Sequence, residues 1–477
     1  MAAPLVSVVN LGCRVNRVES DRIVEDLAAA GFAMGGRSEA DLIVINTCAV
    51  TGEAEAKTRK AVRRALARPR EPFVVVTGCA VSLHPGELAA LSPRVAEEPL
   101  KSRVPARAIE LLGSPLAETE ASTARKDNNL AITEEFLHDS RQKPLDDPIR
   151  LLGRSRLGVK IQDGCDNRCS YCIVWKARGP ERSEPPEEVL AQVHTAARAG
   201  VPEIVLTGVN LAAYRWELPD GGVLGLDDLL ARILDETDIP QVRLSSLEPL
   251  DVTDGLIEVM AGSSGRVAPF LHLPLQSGCT ATLRRMRRPY TAERYAEVVD
   301  RIRAGVPSLA LACDVIVGFP GETDEEFEES YAFCERMCFS RMHVFRYSAR
   351  PGTPAAEAPD QVPPQVMAER SARLRELGER MSREDAARRI GTCEKAVLEN
   401  GAKGTLGSFH RVVVDDLATL PADAPAPTGR AAHPSDTTAP VTGCPSGAGE
   451  PTTRLVDVAI MSMDDDGLLH GRLVPSE

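Results

Sequence analysis

The sequence is poor in aromatic residues, carries more acidic than basic residues, and has no long apolar run. Aromatic residues make up 4% of the 477 residues, with two Trp, so an extended platform for stacking bases is not expected. The formal net charge of -13 argues against a generally basic nucleic-acid binder, so any RNA contact has to come from local patches. No segment has the composition of a signal peptide or a membrane span, and we expect no membrane contact.

The length and the cysteine content indicate a large intracellular protein. At roughly 150 residues per domain, 477 residues suggest about three domains, and a hydrophobic content of 43% supports packed cores. Twelve Cys in a chain of this length do not form a small disulfide scaffold. We therefore expect a cytoplasmic location, where reduced thiols can serve as metal ligands.

The most informative stretch is GCDNRCSYC, in which Cys165, Cys169 and Cys172 follow the spacing Cys-x3-Cys-x2-Cys. A disulfide loop or a zinc site is the alternative, but zinc ribbons usually use two Cys-x2-Cys pairs. Three thiolates on one short loop suit a [4Fe-4S] cluster better, and they leave one iron without a protein ligand. An open iron can bind the amino and carboxylate groups of S-adenosylmethionine, whose reduction releases a 5'-deoxyadenosyl radical. This chemistry is the signature of the radical SAM superfamily, which the triplet resembles.

Three further cysteines follow short apolar runs in residues 1–113. The runs 5–11, 42–45 and 73–76 precede Cys13, Cys48 and Cys79, and helix-like stretches follow at 18–30 and 54–66. Such alternation predicts an open parallel α/β sheet, in which the loops after the strands gather at one edge. The three thiols are then expected to meet and to suit a second cubane cluster, with Gly12 and Gly78 permitting tight turns. For any one of these cysteines, the alternative is a buried small apolar residue.

The remaining sequence predicts a linker, a second α/β region and a small tail domain. Residues 114–153 are polar and lack periodicity, which is typical of a linker. Residues 154–390 are expected to form a partial (β/α)6 barrel with a trailing helix over 363–389, with strands at 203–207, 241–244, 270–273, 309–317 and 343–347. Residues 391–477 predict a small β-barrel from strands at 394–398, 411–414, 455–460 and 468–474. The barrel is interrupted by a segment, 416–453, that is predicted to be disordered.

Polar residues at the ends of the predicted barrel strands are the candidate cofactor contacts. Singly, such residues are more often turn or cap residues. As a ring around an open iron, however, they suit the methionine and ribose parts of S-adenosylmethionine, and Tyr171 is expected beside its adenine. The candidates are Tyr171, Gly208, Asn210, Ser245, Glu248 and Gln276, with Thr207, Ser246, His272, Asp314, Gly318 and Pro320 at similar positions. Cys279, Cys313, Cys334 and Cys338 lack ligand spacing and are interpreted as packing residues, and Cys393 and Cys444 show no ligand pattern.

Two basic runs stand out in this acidic chain. Residues 57–70 contain seven basic residues and no acid, and residues 284–288 read RRMRR. Each run is either a solvated helix surface or a contact for RNA phosphates.

The motifs LGCRVN, INTCAVT and VTGCA, followed by GCDNRCSYC and a small tail region, together resemble the methylthiotransferase family of radical SAM enzymes. The resemblance covers nearly the whole chain. It implies an N-terminal methylthiotransferase domain whose Cys13, Cys48 and Cys79 hold a second [4Fe-4S] cluster. It also implies a radical SAM barrel whose Cys165, Cys169 and Cys172 hold the first cluster, and a C-terminal TRAM-like RNA-binding domain.

The stretch RLSSLEP, residues 243–249, together with LGCRVN, is similar to one branch of this family. That branch methylthiolates C2 of N6-threonylcarbamoyladenosine at position 37 of tRNA, next to the anticodon. The branches acting on N6-isopentenyladenosine and on an aspartate of a ribosomal protein are the alternatives. The resemblance further implies that S-adenosylmethionine is both radical source and methyl donor. The implied partners are a tRNA anticodon loop, an electron donor such as flavodoxin or ferredoxin, and a sulfur donor.

Overall fold

The computed structural model describes residues 3–113, 155–416 and 453–474. The predicted linker 114–153 and nearly all of the predicted disordered segment 416–453 lie outside these residues. The described elements form an α/β N-terminal unit, an α/β central unit and a small all-β tail. The predicted fold class is therefore confirmed.

The N-terminal unit is a parallel sheet covered by helices on both faces. Its elements are β1 (Leu5–Asn10), α1 (Arg14–Ala29), β2 (Ala33–Met34), β3 (Leu42–Thr47), α2 (Gly52–Leu66), β4 (Phe73–Gly78), α3 (Cys79–Leu83), β5 (Val95–Glu97) and α4 (Val104–Leu112). The strand order is β2-β1-β3-β4-β5. On the central strand β3, Leu42 and Val44 pack into one apolar cluster while Ile43 and Ile45 pack into the other. A strand that is buried on both faces explains why its sequence is continuously apolar.

The central unit contains six parallel strands, as predicted. Its elements are β6 (Leu157–Lys160), β7 (Gln162–Asp163), α5 (Val174–Arg178), β8 (Arg182–Ser183), α6 (Pro186–Arg198), β9 (Glu203–Thr207), β10 (Trp216–Glu217), β11 (Val223–Leu224), α7 (Leu226–Glu236), β12 (Gln241–Leu244), α8 (Asp254–Gly262), β13 (Phe270–His272), α9 (Thr280–Arg285), α10 (Ala292–Gly305), β14 (Ala310–Val317), α11 (Asp324–Met337), β15 (Arg341–Arg346) and α12 (Pro364–Arg388). Strands β6, β9 and β12 form one sheet, and β13, β14 and β15 form another. The parallel bridges Val242 to Val267 and Ser246 to His272 connect the two sheets. The six strands thus follow one another in chain order, as in a barrel that is left open between β6 and β15.

Helix α1 of the N-terminal unit packs against β6 at this open side. A Cβ atom added to Gly158 of β6 would lie 2.3 Å from Cγ2 of Val18. A side chain on Gly158 would therefore push the helix away. The sequence predicted a helix from residue 18, but α1 begins at Arg14, because Cys13 takes the extended backbone of an N-cap with φ -70° and ψ -173°.

The tail is a closed barrel of five strands, β16 (Cys393–Asn400), β17 (Lys403–Leu406), β18 (Arg411–Val414), β19 (Arg454–Met463) and β20 (Leu469–Leu473). Strand β17 was not predicted. Asp385 of α12 joins the helix to the tail, since it accepts hydrogen bonds from Arg389 and from His410 Nε2 at 2.8 Å. Although burial opposes it, the bond from His410 and the charge of Arg389 hold the pKa of Asp385 well below its usual range. The tail also covers the start of the central strands, where Phe409 stacks on Phe270 of β13 at 4.8 Å.

Candidate active site

The three N-terminal cysteines meet at one edge of the sheet. Asn10 of β1 pairs with Asn46 of β3, and Thr47 pairs with Gly78 of β4, so the three strands end side by side. Cys13 caps α1, Cys48 follows β3 directly, and Cys79 is the first residue of α3. Burial raises the pKa of the Cys48 thiol, and the Cys13 and Cys79 thiols raise it further. The three sulfurs therefore lie close enough to influence one another, as the sequence predicted.

Buried amides hold the loops that carry these cysteines. Asn16 Nδ2 donates to Asn46 Oδ1 at 3.2 Å and to the Thr47 carbonyl at 2.7 Å, while Asn46 Nδ2 donates to the Asn16 carbonyl at 2.9 Å. A Cβ atom on Gly12 would lie 2.4 Å from the Asn16 side chain, so Gly12 is needed for close approach rather than for an unusual φ. Gly78, in contrast, has a φ of 95°, which favours glycine.

The cysteines of the Cys-x3-Cys-x2-Cys loop also lie together. Burial is the largest cause that raises the pKa of Cys165 to about 12 and that of Cys172 to about 11, and Cys169 raises both further. Because burial disfavours the free thiolate, loss of these protons is coupled to binding of a metal. The loop starts at Gly164, where φ is 74° and an added Cβ atom would lie 1.8 Å from the Pro180 carbonyl oxygen.

Each set supplies three thiols, the number that a [4Fe-4S] cluster with one open iron uses. Among residues 3–113, 155–416 and 453–474, no three His, Cys, Asp or Glu side chains are gathered tightly enough to hold one metal ion. In a cubane each of the three thiolates binds a different iron, so its ligands stand further apart than those of zinc. Two sets of three thiols therefore suit two clusters, each with one iron open.

Arg178, the last residue of α5, connects the two sets of cysteines. Its guanidinium donates to both carboxylate oxygens of Glu19 at 2.9 and 3.1 Å, to Asp163 Oδ1 at 2.9 Å and to Asn16 Oδ1 at 2.7 Å. Asn16 Oδ1 also accepts a bond from the Cys13 thiol at 3.4 Å. The helix that begins two residues after Cys172 is thus bonded to the helix that Cys13 caps.

Small residues let the two units approach each other beside this connection. Ala177 of α5 packs against a buried cluster of Ala49, Cys79 and Ala80 from the N-terminal unit. A short helix that follows one set of cysteines therefore contacts the helix that begins at Cys79 of the other. The segment that follows Cys172 and the helix that begins at Cys79 are consequently in contact.

Arg288 lies beside Cys169 of the Cys-x3-Cys-x2-Cys loop, and the sequence analysis did not place it there. Its Nη1 donates to Cys169 Sγ at 3.2 Å, and its Nη2 is hydrogen-bonded to Glu248 and, at 3.0 Å, to the Tyr290 hydroxyl. The expectation that 284–288 is one solvated or phosphate-binding run is therefore wrong for Arg288. Arg285 pairs with Glu326 but is exposed, which agrees with a solvated helix end.

Gln162 positions the loop that carries two of the predicted cofactor contacts. Its Oε1 accepts bonds from the backbone N–H groups of Val209 and Asn210, each at 2.9 Å, and its Nε2 donates to the Gly164 carbonyl at 3.0 Å. A Cβ atom on Gly208 would lie 2.9 Å from Gln162 Oε1, so glycine is required there. One side chain therefore holds the end of β9 against the start of the cysteine loop.

Two of the predicted cofactor contacts each have a buried polar atom that forms no hydrogen bond with any described residue. These atoms are Asn210 Oδ1 and Ser245 Oγ. Buried polar atoms in proteins are normally hydrogen-bonded, so both suit a polar ligand at the ends of β9 and β12. Three thiols that can ligate iron, together with these two polar atoms, fit a cluster that binds S-adenosylmethionine.

The other three contacts are engaged within the protein. Tyr171 packs edge-on against Phe319 at 6.5 Å, and Glu248 is paired with Arg288. Gln276 takes a φ of 66°, and its backbone N–H donates to the Asp314 carbonyl at 2.8 Å. Contact of all six residues with S-adenosylmethionine remains a prediction.

The prediction that four further cysteines are packing residues needs one correction. Cys279, Cys313 and Cys334 are buried, as expected of packing residues, but Cys338 is exposed and follows α11 in the left-handed conformation with a φ of 48°.

The run 57–70 lies mostly on α2, where Arg59, Lys60, Arg63 and Arg64 line one open surface. We name this surface the α2 basic surface; RNA binding there is untested.

Comparison with known proteins identifies the families that this chain resembles. Residues 159–334 match the family described as the Radical SAM superfamily, and residues 5–97 match the Uncharacterized protein family UPF0004. The chain is 34% identical to the threonylcarbamoyladenosine tRNA methylthiotransferase MtaB of Bacillus subtilis over 419 residues, 84% of this chain and 86% of that protein. It is also 34% identical to the tRNA-2-methylthio-N(6)-dimethylallyladenosine synthase of Novosphingobium aromaticivorans over 397 residues, 83% of this chain and 86% of that protein.

A solved structure shares the fold. The radical S-adenosylmethionine methyltransferase TsrM of Kitasatospora setae, with cobalamin and a [4Fe-4S] cluster bound, superposes with a TM-score of 0.50 at 14% identity, covering 74% of this chain and 77% of that chain. No helix in the described part of the chain combines the length and apolarity needed to cross a membrane. With two family matches and relatives that align over most of their length, the chain belongs to the radical SAM methylthiotransferases, enzymes that use a [4Fe-4S] cluster and S-adenosylmethionine.

Proposed function

We propose that this protein methylthiolates C2 of N6-threonylcarbamoyladenosine at position 37 of tRNA, in the cytoplasm. The observation that carries the proposal is the contact between α3, which begins at Cys79, and α5, which follows Cys172. Cys165, Cys169 and Cys172 hold the first [4Fe-4S] cluster in this proposal, and Cys13, Cys48 and Cys79 hold the second. The relative from Bacillus subtilis, whose name carries threonylcarbamoyladenosine, and the motifs LGCRVN and RLSSLEP support this substrate.

The chemistry requires a radical, because the C2–H bond of adenine is neither acidic nor easily displaced. When bound, the first cluster and S-adenosylmethionine supply a carbon radical and a methyl group, and the second cluster supplies an iron at which sulfur can be presented. An electron donor such as flavodoxin or ferredoxin and a sulfur donor are the partners that this chemistry needs.

The protein's own residues bind and orient in this scheme. Asn210 Oδ1 and Ser245 Oγ accept polar groups of S-adenosylmethionine, and Gln162 fixes the loop that carries Asn210. The contact of α5 with the N-terminal unit holds the two cysteine-bearing segments together. The target adenosine has to leave its stack to reach these segments, which fits recognition of a single-stranded anticodon loop. The α2 basic surface provides cations for the neighbouring phosphates.

Methylthiolation of N6-isopentenyladenosine is the second candidate, because relatives named for the dimethylallyl substrate have the same 34% identity. Nucleoside analysis of bulk tRNA from a strain that lacks this chain distinguishes the two. We expect loss of 2-methylthio-N6-threonylcarbamoyladenosine, with restoration by the wild-type gene but not by a Cys169→Ala variant. Loss of the isopentenyl derivative alone would establish the second candidate, and unchanged levels of both would exclude tRNA as the substrate.

Counting iron tests the two-cluster arrangement independently of the substrate. Anaerobically reconstituted protein is expected to hold about eight irons. The triple variant Cys13→Ala, Cys48→Ala, Cys79→Ala is expected to hold about four. About four irons in the wild type would remove the sulfur-presenting half of the scheme.

A further inference from the structure

The interior of the central unit is polar. Side chains alternate along a strand, and Met342 and Val344 of β15 pack outward on the apolar core. Arg341 and His343 on the same strand therefore point to the interior, where Asp314 of β14 is the register partner of His343. The interior side of this unit thus presents cations and imidazoles, beside the exposed ring of Phe345.

Three arginines from two units converge on one aromatic ring in this interior. The Cζ atoms of Arg243 and Arg341 each lie 4.9 Å from the centroid of the Phe409 ring. Arg14, from the start of α1, approaches the same ring with its Cζ at 5.7 Å. Arg14 directly follows Cys13, so this cluster lies next to one of the proposed ligands of the second iron-sulfur cluster.

Two of these three cations have no carboxylate partner among the described residues. Arg243 is neutralised by Glu203, to which it donates two bonds at 3.0 and 2.9 Å. Throughout the described ranges, neither Arg14 nor Arg341 donates a side-chain hydrogen bond or forms an ion pair. Asp314 acts on Arg14 electrostatically, but its Oδ1 is bonded to His272 Nε2 at 3.0 Å.

Arg341 is partly enclosed by protein, and both cations are accessible. Burial, followed by the charge of Arg411, lowers the pKa of Arg341, which shows that the protein surrounds this group. Even so, Arg14 is exposed and Arg341 is half-buried, so a ligand can reach both side chains. An enclosed cation without a partner costs free energy, and an anion that enters this space would recover it.

We propose that Arg14 and Arg341 bind the carboxylate of the substrate's N6 substituent and thereby select a carboxylate-bearing adenosine. This inference rests on the proposed function, since the threonylcarbamoyl group ends in a carboxylate. An isopentenyl group is apolar and would leave both guanidinium groups without a partner, which is the situation in which a binding site discriminates strongly. Arg14 comes from LGCRVN and Arg243 from RLSSLEP, so the two stretches that resemble this branch meet at the Phe409 ring.

The position of Arg14 fits this role. In adenine, C2 and the carbon that bears N6 flank the same ring nitrogen, N1. An adenine whose C2 faces the cysteine edge therefore directs its N6 substituent into adjacent space, where the residue after Cys13 is found. A planar guanidinium is suited to a carboxylate because it donates two parallel hydrogen bonds.

The test uses reconstituted holoenzyme and three anticodon stem-loop RNAs. Their position 37 carries N6-threonylcarbamoyladenosine, its neutral methyl ester, or N6-isopentenyladenosine. Equilibrium binding is measured by fluorescence anisotropy, and kcat/KM is measured separately. We expect the wild type to bind the acid more tightly than the ester, and Arg14→Gln to weaken binding of the acid by roughly 10- to 100-fold with little change for the ester. Arg14→Lys should recover part of the preference.

Arg17→Gln is the matched control. Arg17 lies one turn further along α1 and is exposed. Its replacement by Gln removes the same charge as Arg14→Gln and therefore measures any general weakening of RNA binding. Iron content is measured for every variant, because Arg14 is next to Cys13. Should Arg14→Gln lose iron, Arg341→Gln, which lies far from the cysteines in the sequence, is expected to give the same loss of preference.

The outcomes separate the inference from the function on which it rests. If Arg14→Gln and Arg341→Gln both keep the wild-type ratio of acid to ester binding, the inference is wrong while the proposed function stands. If the wild type modifies the isopentenyl stem-loop and not the threonylcarbamoyl one, the proposed function itself is wrong.

Discussion

The connection made by Arg178 gives the sharpest prediction about how the two units are held together. Its side chain is 5% exposed and its partners Glu19 and Asp163 are 8% and 5% exposed, so water screens these ion pairs weakly. Replacing Arg178 by Met removes the guanidinium and keeps an unbranched chain of similar length. The change should therefore loosen α1 from the cysteine loop without opening a large cavity.

The free-energy cost of the substitution depends on the ion pairs that Glu19 and Asp163 keep without Arg178. Removing one partner of a buried ion pair costs about 3–5 kcal/mol when the other charge is left alone. Here Glu19 keeps Lys101 at 2.9 Å, and Asp163 keeps Lys160 at 3.1 Å and Arg182 at 2.9 Å. Because neither carboxylate loses all of its cations, we expect the lower end, about 3 kcal/mol, which corresponds to roughly 150-fold in a local opening equilibrium.

Hydrogen exchange followed by mass spectrometry reads this local opening directly. Amides of α1 and of residues 160–178 should exchange roughly 150-fold faster in Arg178→Met, while those of the tail barrel should not change. Arg182→Met is the matched control, since Arg182 also contacts Asp163 but is 57% exposed and does not reach α1. An exposed pair contributes about 1 kcal/mol or less, so roughly fivefold or less is expected. Equal exchange of α1 in the two variants would refute the reasoning.

Three further predictions concern single residues. Arg288→Gln removes a donor to Cys169 Sγ and should lower the reduction potential of the reconstituted first cluster by roughly 40 mV in an electron-paramagnetic-resonance titration, with Arg285→Gln unchanged. Gly164→Ala cannot keep its φ of 74° and should reduce bound iron from about eight to about four, whereas retention of all iron would show that the loop can rearrange. The folded pKa of Asp385 is depressed, so its stabilisation is present above the unfolded value of 3.8 and is lost as pH falls below it. Hydrogen exchange of the tail barrel should therefore accelerate below about pH 4 in the wild type, and Asp385→Asn should remove this pH dependence.

Features that depend on local sequence were predicted well. The strands before Cys48 and Cys79 begin with continuous apolar runs because they are buried on both faces, and the half-buried strand before Cys13 is mostly apolar; this signal is strong within a window of a few residues. In a parallel sheet, such strands must end at the same edge, so convergence of the three thiols follows from topology alone. Strands β2 and β5 were missed because edge strands of two and three residues carry no such pattern.

Contacts between distant parts of the chain were not predictable. Arg178 and Glu19 are 159 positions apart, and nothing near either residue indicates the other. Arg288 looked like one member of a basic run, yet its contact with Cys169 spans 119 positions. A charged residue has the same appearance in sequence whether it is solvated or buried with a partner, because the partner is supplied by the fold.

Helix α1 explains why the N-terminal unit and the open central unit depend on each other. A six-stranded barrel leaves one side open, and α1 packs there against Gly158, where a side chain would prevent its approach. The first two turns of this helix then carry Cys13 at the cap, Arg14 in the interior of the central unit, and Glu19 bonded to Arg178. One helix thus covers the β6 edge of the barrel, positions a proposed iron ligand and brings a cation to the proposed substrate space. Because these roles share one rigid element, displacing α1 should impair cluster retention and substrate selection together, whereas substitutions on its exposed face should impair neither.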